Sequence, residues 1–159
     1  MKQFMRRFFL FFLGTSSVVF VDQLSKFLVM RWWPSIMQLN RGISFGWLGG
    51  GEENSSRLIL VGGALVIVFI FVLAVRSATF SKFWERYPLL IGTFWGGGVS
   101  NFFDRLLIGG VRDWLQVPFL PLLSPAWSIK NNVADWSIFG SLLLIILLIA
   151  RDDFRDKTK

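Results

Sequence analysis

The chain has 159 residues, enough for one compact domain, and a formal net charge of +7. It is 53% hydrophobic, 17% aromatic and only 17% charged, which is typical of a membrane protein and too apolar for an ordinary soluble domain. Because the basic residues are scattered between apolar runs, the charge favours contact with anionic lipid over nucleic acid. Cysteine and histidine are absent, which excludes disulfides, thiolate and Ser-His catalysis, and the commonest zinc ligands.

Four apolar runs predict membrane-spanning helices, so the expected fold class is an all-α membrane protein with a single domain, residues 1–159. The predicted spans are residues 8–30, 58–75, 88–107 and 133–150. We interpret the first as an uncleaved span rather than a signal peptide, because no A-x-A pattern follows its basic start. The third begins at Pro88 and is rich in glycine, which permits close packing of helices.

The segments between the spans differ in character. Residues 31–57 contain Pro34 and a run of three glycines, with strand-like MQLN and ISFGWL stretches, and predict a small β element lying on the membrane. Residues 76–86 read as a short basic loop, and residues 108–132 as a second, proline-rich loop. The tail after Ala150 is charged and expected to be solvated. Basic residues flanking the first span predict that both termini are cytoplasmic.

Four aspartates fall at the outer ends of the predicted spans or just beyond them: Asp22, Asp104, Asp113 and Asp135. A carboxylate near lipid is costly unless it is paired, wet or protonated, so such residues suggest a functional site. Two neighbouring carboxylates share a proton and can activate water, with the charged member as base and the neutral one polarising a carbonyl. Asp113 and Asp135, joined by an outer loop, are the candidate pair.

Simpler interpretations remain open at this point. Asp135 could be a helix N-cap, and Asp113 a loop residue paired with Arg112 or Lys130. Asp104 could cap its helix or pair locally. The i, i+4 spacing of Asp22 and Lys26 predicts an ion pair, which either neutralises itself at the interface or borders a polar cavity.

Five ordered motifs resemble those of bacterial lipoprotein signal peptidase, also called signal peptidase II. They are VDQLSK, LNRGISFG, GGGVSNFFDR, GGVRDW and NNVADWS, and together they cover most of the chain. The resemblance implies four transmembrane helices with a small periplasmic β-cradle. It also implies an aspartic endopeptidase that cleaves prolipoprotein signal peptides before a diacylglyceryl-modified cysteine.

Carried over by motif, the catalytic dyad is Asp113 and Asp135. The residues implied to line the substrate site are Asn40, Gly42, Asn101, Arg105, Asn132 and Ala134. Those implied to support it structurally are Asp22, Lys26 and Asp104. The family uses no metal and no organic cofactor, and its partners are the lipid-modified substrate and membrane lipid. The resemblance further implies a multi-pass protein of the inner membrane, expected to be a monomer, with its site at the periplasmic face.

The chain departs from the family pattern at several positions. Ser100 replaces a glycine, and Asn131 replaces the phenylalanine before Asn132. Arg41 and Ile43 occupy a loop that is usually smaller or more neutral, and the 114–131 connection is long and rich in proline. These differences concern substrate range and inhibitor sensitivity more than the reaction.

Three other functions are compatible with parts of the sequence. A proton- or ion-coupled transporter would also use membrane aspartates, although no internal repeat and no acid near a midplane is seen. A Ser-Lys hydrolase would use Lys26, but the neighbouring Ser25 points away from it on a helix; Ser44 or Ser128 would have to fold over it. A non-enzymatic scaffold is a third possibility.

Overall fold

The structure is a computed structural model that describes residues 1–41, 78–117 and 129–157. The second predicted span, the ISFGWL stretch and most of the proline-rich loop lie outside these residues. The described part is mostly helical. Its helices are α1 (Lys2–Trp32), α2 (Ala78–Arg86), α3 (Pro88–Ile108) and α4 (Val133–Lys157), with a short 3-10 turn at Pro34–Ile36.

Four short strands form two small antiparallel sheets at one end of the helices. The strands are β1 (Gln38–Asn40), β2 (Val111–Asp113), β3 (Leu115–Gln116) and β4 (Lys130–Asn131). In the first sheet β1 pairs with β2, so that Gln38 faces Asp113; in the second, β3 pairs with β4. The strand predicted for the MQLN stretch is confirmed. Gly109, with φ of 76°, ends α3 and turns the chain into β2.

Helix α3 lies between α1 and α4 and packs against both. Glycine permits this packing on two sides. A Cβ at Gly96 would lie 2.7 Å from the carbonyl oxygen of Thr15 in α1, and one at Gly97 would lie 2.5 Å from that of Ala134 in α4. The predicted role of these glycines in close helix packing is therefore confirmed.

Two helical segments of the described chain are long and apolar enough to cross a membrane. They are Lys2–Trp32, with mean hydropathy 1.5, and Val133–Asp152, with mean hydropathy 2.3. Helix α3 also has the length to cross a membrane, but Asn101, Asp104 and Arg105 interrupt its apolar sequence. Large apolar side chains cover the outside of α1 and α4, as contact with lipid requires.

One local prediction is wrong, and one element is longer than predicted. The 76–86 segment, expected to be a loop, contains α2, whose residues include no glycine or proline and which buries Phe83. The charged tail continues α4 to Lys157, and its Arg151, Phe154 and Arg155 are exposed, in agreement with the predicted solvation. Arg151 donates a 2.8 Å hydrogen bond to the Tyr87 hydroxyl, and Arg86 pairs with Asp152 at 3.0 Å, which ties the end of α4 to the start of α3.

Candidate active site

The four aspartates singled out from the sequence lie at the same end of the helices. Asp22 is in the later turns of α1, Asp104 is near the end of α3, and Asp135 is in the first turn of α4. Asp113 ends strand β2. Asp22, Asp104 and Asp113 are buried, and Asp135 is half-buried. Buried carboxylates require partners, and each of these has several.

Asp113 and Asp135 are joined through the buried side chain and backbone of Asn132. The Asn132 Nδ2 donates a 2.7 Å hydrogen bond to Asp113 Oδ1, while its backbone N–H donates to Asp135 Oδ2 at 3.3 Å. The other oxygen of each acid accepts from a second amide: Asn40 Nδ2 reaches Asp113 Oδ2 at 3.0 Å, and Asn101 Nδ2 reaches Asp135 Oδ1 at 2.7 Å. Three asparagines thus hold the two carboxylates.

The start of α4 explains how Asn132 takes this position. Its Oδ1 accepts a 2.9 Å hydrogen bond from the backbone N–H of Asp135, and Asp135 returns the contact to the Asn132 backbone. This reciprocal arrangement is a capping box, with Asn132 as the N-cap. The suggestion that Asp135 itself is the N-cap is wrong, although Asp135 does contribute to the cap.

Burial raises the pKa of Asp113 to about 6. The hydrogen bond from Asn40 opposes this rise, the nearby Asp135 carboxylate adds to it, and Asn132 and Lys26 oppose it. Neither basic residue considered as a pairing partner for Asp113 forms that pair: Arg112 binds Asp104, and Lys130 Nζ donates to the carbonyl oxygen of Ile36 at 2.8 Å. Asp113 therefore keeps a proton to an unusually high pH.

The predicted ion pair between Asp22 and Lys26 is confirmed. Lys26 Nζ lies 2.6 Å from Asp22 Oδ2 and 3.0 Å from Asp104 Oδ2, with all three side chains buried. Lys26 also donates to Asn101 Oδ1 at 3.2 Å, so it lies inside the protein and does not snorkel to the interface. Asp22 Oδ1 accepts from the backbone N–H of Ala134 at 2.9 Å, which links α1 to the start of α4.

A Ser-Lys hydrolase is not favoured by these contacts. Ser25 Oγ donates a 2.7 Å hydrogen bond to the carbonyl oxygen of Asp22, away from the lysine. Lys26 Nζ instead contacts the carboxylates of Asp22 and Asp104 and the side-chain oxygen of Asn101. Ser44 and Ser128 lie outside the described residues.

Asp104 is the partner of a second cation, Arg112. The Arg112 guanidinium reaches both carboxylate oxygens, with Nη2 2.7 Å from Oδ1 and Nε 3.3 Å from Oδ2. Gln23 bridges the same group, because its Nε2 donates to Asp104 at 2.9 Å and its Oε1 accepts from Arg112 at 2.7 Å. Asp104 is therefore a shared partner of Lys26, Gln23 and Arg112, which is more than a local helix cap.

Two of the three remaining predicted site residues lie near these carboxylates. Ala134 is fully buried in the first turn of α4. Arg105 lies within electrostatic range of Asp135, Asp113 and Asp104. Gly42 lies outside the described residues, so its predicted place in the site is untested.

The structure adds three polar residues that the motifs did not assign: Gln23, Ser100 and Arg112. Ser100, noted only as a replacement for glycine, is fully buried, and its hydroxyl donates to Asp22 Oδ2 at 2.7 Å and accepts from Gln23 at 2.9 Å. Gln23 precedes Lys26 by three positions, so helical spacing could have placed both on one face. No spacing rule could have paired Arg112 with Asp104, because the sequence does not reveal the geometry of the turn that separates them.

This arrangement suits hydrolysis by a pair of acids: a buried carboxyl with a raised pKa lies beside a second, half-buried carboxylate. Among the described residues, no three acidic side chains converge in a way that would hold a metal ion. The predicted independence from metals stays a prediction.

The fold and the site together define a class of protein, namely a helical membrane protein with buried acids at one end. Two solved structures, each a bacterial membrane enzyme, share this fold. One has a TM-score of 0.61 and 23% identity, and the match covers 92% of this chain and 91% of that one. The other has a TM-score of 0.58 and 21% identity, with coverage of 88% and 92%.

The sequence relationship is more specific. The family model described as signal peptidase (SPase) II matches residues 15–151. A lipoprotein signal peptidase of Sulfurihydrogenibium sp. is 31% identical over 148 residues, with coverage of 85% of this chain and 88% of the relative. One of Rickettsia felis is 28% identical over 144 residues, with coverage of 82% and 68%. The chain belongs to the signal peptidase II family, and is thus an aspartic peptidase concerned with lipoprotein processing.

Proposed function

We propose that the protein is an intramembrane aspartic endopeptidase that removes signal peptides from diacylglyceryl-modified prolipoproteins. It cleaves before the lipidated cysteine, with Asp113 and Asp135 as the catalytic dyad. The observation that carries this proposal is the bridge through Asn132, which contacts both carboxylates. The family relationship supports the substrate class.

The chemistry follows from two acids that share one proton. The ionised carboxylate removes a proton from water, and the neutral carboxyl donates a hydrogen bond to the scissile carbonyl oxygen. The resulting hydroxide attacks the carbonyl carbon, and a tetrahedral intermediate forms. Its collapse breaks the C–N bond, and the amine of the lipidated cysteine leaves with a proton from the dyad. The raised pKa of Asp113 supports a protonated member near pH 6.

The surrounding residues bind the substrate in this proposal. Arg105 holds backbone carbonyl or lipid headgroup oxygens, while Asn40 and Asn101 orient the dyad and contact the peptide. Gly42 leaves room for the chain beside the acids, and the fully buried Ala134 shapes the site from the first turn of α4. Asp22, Lys26 and Asp104 form the buried ion-pair support that joins α1, α3 and the start of α4.

The membrane arrangement is part of the same proposal. Four spans, at residues 8–30, 58–75, 88–107 and 133–150, cross the inner membrane. Both termini are then cytoplasmic. The two small sheets form part of a periplasmic cradle over the acids, where water and the scissile bond of a membrane-anchored substrate meet. The protein acts as a monomer. Support comes from the two apolar helices and from the position of all four acids at one end.

The direct test is cleavage of a synthetic lipobox peptide that carries a diacylglyceryl cysteine, by the purified protein in detergent. We expect mass spectrometry to find one cut, immediately before the lipidated cysteine, and no cut in the same peptide without lipid. EDTA should leave the rate unchanged, because no step uses a metal. Absence of cleavage would contradict the proposed function, and a loss in EDTA that added metal restores would contradict the mechanism.

A further inference from the structure

Arg112, which no motif assigns to the site, directly precedes Asp113 and makes three hydrogen bonds to the Asp104 carboxylate. Its backbone N–H donates to Asp104 Oδ2 at 3.0 Å, and its guanidinium binds both Asp104 oxygens. The Arg112 side chain is only 12% exposed. A two-pronged arginine–carboxylate contact fixes direction as well as distance.

The group to which Arg112 binds is itself immobilised. Asp104 is 1% exposed and also accepts hydrogen bonds from Gln23 and Lys26 of α1. Gln23 in turn accepts from Arg112 Nη2 at 2.7 Å. Through this one carboxylate, strand β2 is attached to both α1 and α3.

Among the described residues, strand β2 belongs to a small sheet that the attachment can hold in place. Within residues 1–41, 78–117 and 129–157 it pairs with β1 over three residue pairs, and a two-stranded sheet of this size is marginal in isolation. Adjacent residues of a strand point to opposite faces. With Arg112 fixed on the Asp104 side, Asp113 is turned towards Asn40 and Asn132, the amides that hold its carboxylate.

We propose that Arg112 is a positioning residue for the reaction: by binding Asp104 and Gln23 it fixes β2 so that the Asp113 carboxyl faces Asp135. Arg112 does not touch the reacting atoms. The inference rests on the proposed function, because it assumes that Asp113 is a member of the dyad. It assigns to Asp104 a specific task, which is to anchor the strand that carries Asp113.

The test compares Arg112→Lys and Arg112→Gln with the wild type in the diacylated lipobox peptide assay. Lysine keeps the charge but cannot form the two-pronged contact. We expect kcat to fall by about 10- to 100-fold in both variants, because small misplacements of a reacting group have effects of this size. KM should change by less than about threefold, and the pH at which kcat/KM is half-maximal should move, since the surroundings of Asp113 change.

The matched control is Arg86→Lys, which alters another arginine–aspartate pair, 3.0 Å long, at the opposite end of the helices. It should keep wild-type kinetics and pH profile. Wild-type kcat and pH profile in Arg112→Gln would overturn the inference. So would a loss of activity that merely follows a lower melting temperature and disappears on cooling. If the wild type itself cleaves no lipidated peptide, the proposed function fails and this inference fails with it; cleavage by the wild type and both variants alike refutes the inference alone.

Discussion

Asn132 shows how one residue can organise a reaction centre. Its side-chain amide donates to Asp113, its side-chain oxygen accepts from the backbone of Asp135, and its own backbone donates to the Asp135 carboxylate. The capping box that begins α4 is therefore the same structure that sets the spacing of the two acids. Capping and catalysis require the same asparagine, so a change here would disturb both.

Asp113 should also control how stability depends on pH. Its pKa is 3.8 in the unfolded chain and about 6 in the folded protein, so the folded state binds more protons between these values. The free energy of unfolding then falls as the pH rises through this window, by up to about 3 kcal/mol. Denaturation in detergent should show this fall in the wild type relative to Asp113→Asn, which cannot titrate. Identical pH dependence in the two proteins would contradict the raised pKa.

At the scale of elements, the glycines of α3 decide where the acids meet. Gly97 faces the first turn of α4, and Gly96 faces α1, so both neighbouring helices approach the α3 backbone directly. Asn101, one turn further along, then reaches Asp135 and Lys26. Larger side chains would separate the helices and lengthen these contacts.

A pair of adjacent glycines makes this testable. An added Cβ at Gly97 would meet the Ala134 carbonyl oxygen at 2.5 Å and Ile138 Cγ1 at 2.6 Å, whereas at Gly98 it meets no atom of the described residues within 4 Å. We expect Gly97→Ala to destabilise the protein by about 1–3 kcal/mol and to lower its activity. Gly98→Ala should be neutral or slightly stabilising, since alanine favours helix. Thermal melts and peptide cleavage measure both; equal effects of the two substitutions would contradict the packing.

The sequence could predict the elements and pairs that follow a regular spacing. The Asp22–Lys26 pair follows from helical periodicity, and the starts of α3 and α4 follow from Pro88 and the change to an apolar run. What it could not predict depends on tertiary contacts. The attachment of Arg112 to Asp104 needs the turn after α3, and the burial of Ser100 needs the approach of α1. The continuation of α4 beyond Ala150 is stabilised by contacts with Arg86 and Tyr87, distant in sequence.

For the whole molecule, charge is distributed differently at its two ends. At the end with the termini, exposed ion pairs such as Arg7–Glu85 and Arg86–Asp152 join the helices. Such pairs contribute little to stability, but they suit an aqueous interface. At the other end Asp22, Lys26, Asp104 and Asp113 form a buried cluster, while Arg31 and Arg41 are exposed. This asymmetry agrees with a membrane protein whose chemistry is confined to one face.

The absence of cysteine allows the orientation to be measured directly. Single cysteines would be placed at Gln116, exposed at the end with the acids, and at Phe154, 73% exposed at the other end. A membrane-impermeant thiol reagent added to intact spheroplasts should label Gln116→Cys, and should label Phe154→Cys only after lysis. The reverse pattern would place the acids on the cytoplasmic side and contradict the proposed topology.

The central claim is that Asp113 and Asp135 carry out the cleavage. The most direct measurement compares Asp113→Asn and Asp135→Asn with the wild type on the lipidated lipobox peptide, followed by mass spectrometry. The matched control is Asp152→Asn, the same change at a partly exposed carboxylate at the opposite end. We predict that both site variants remain folded and lose cleavage by at least about 1,000-fold, while the control cleaves normally. Full cleavage by either site variant would contradict the dyad.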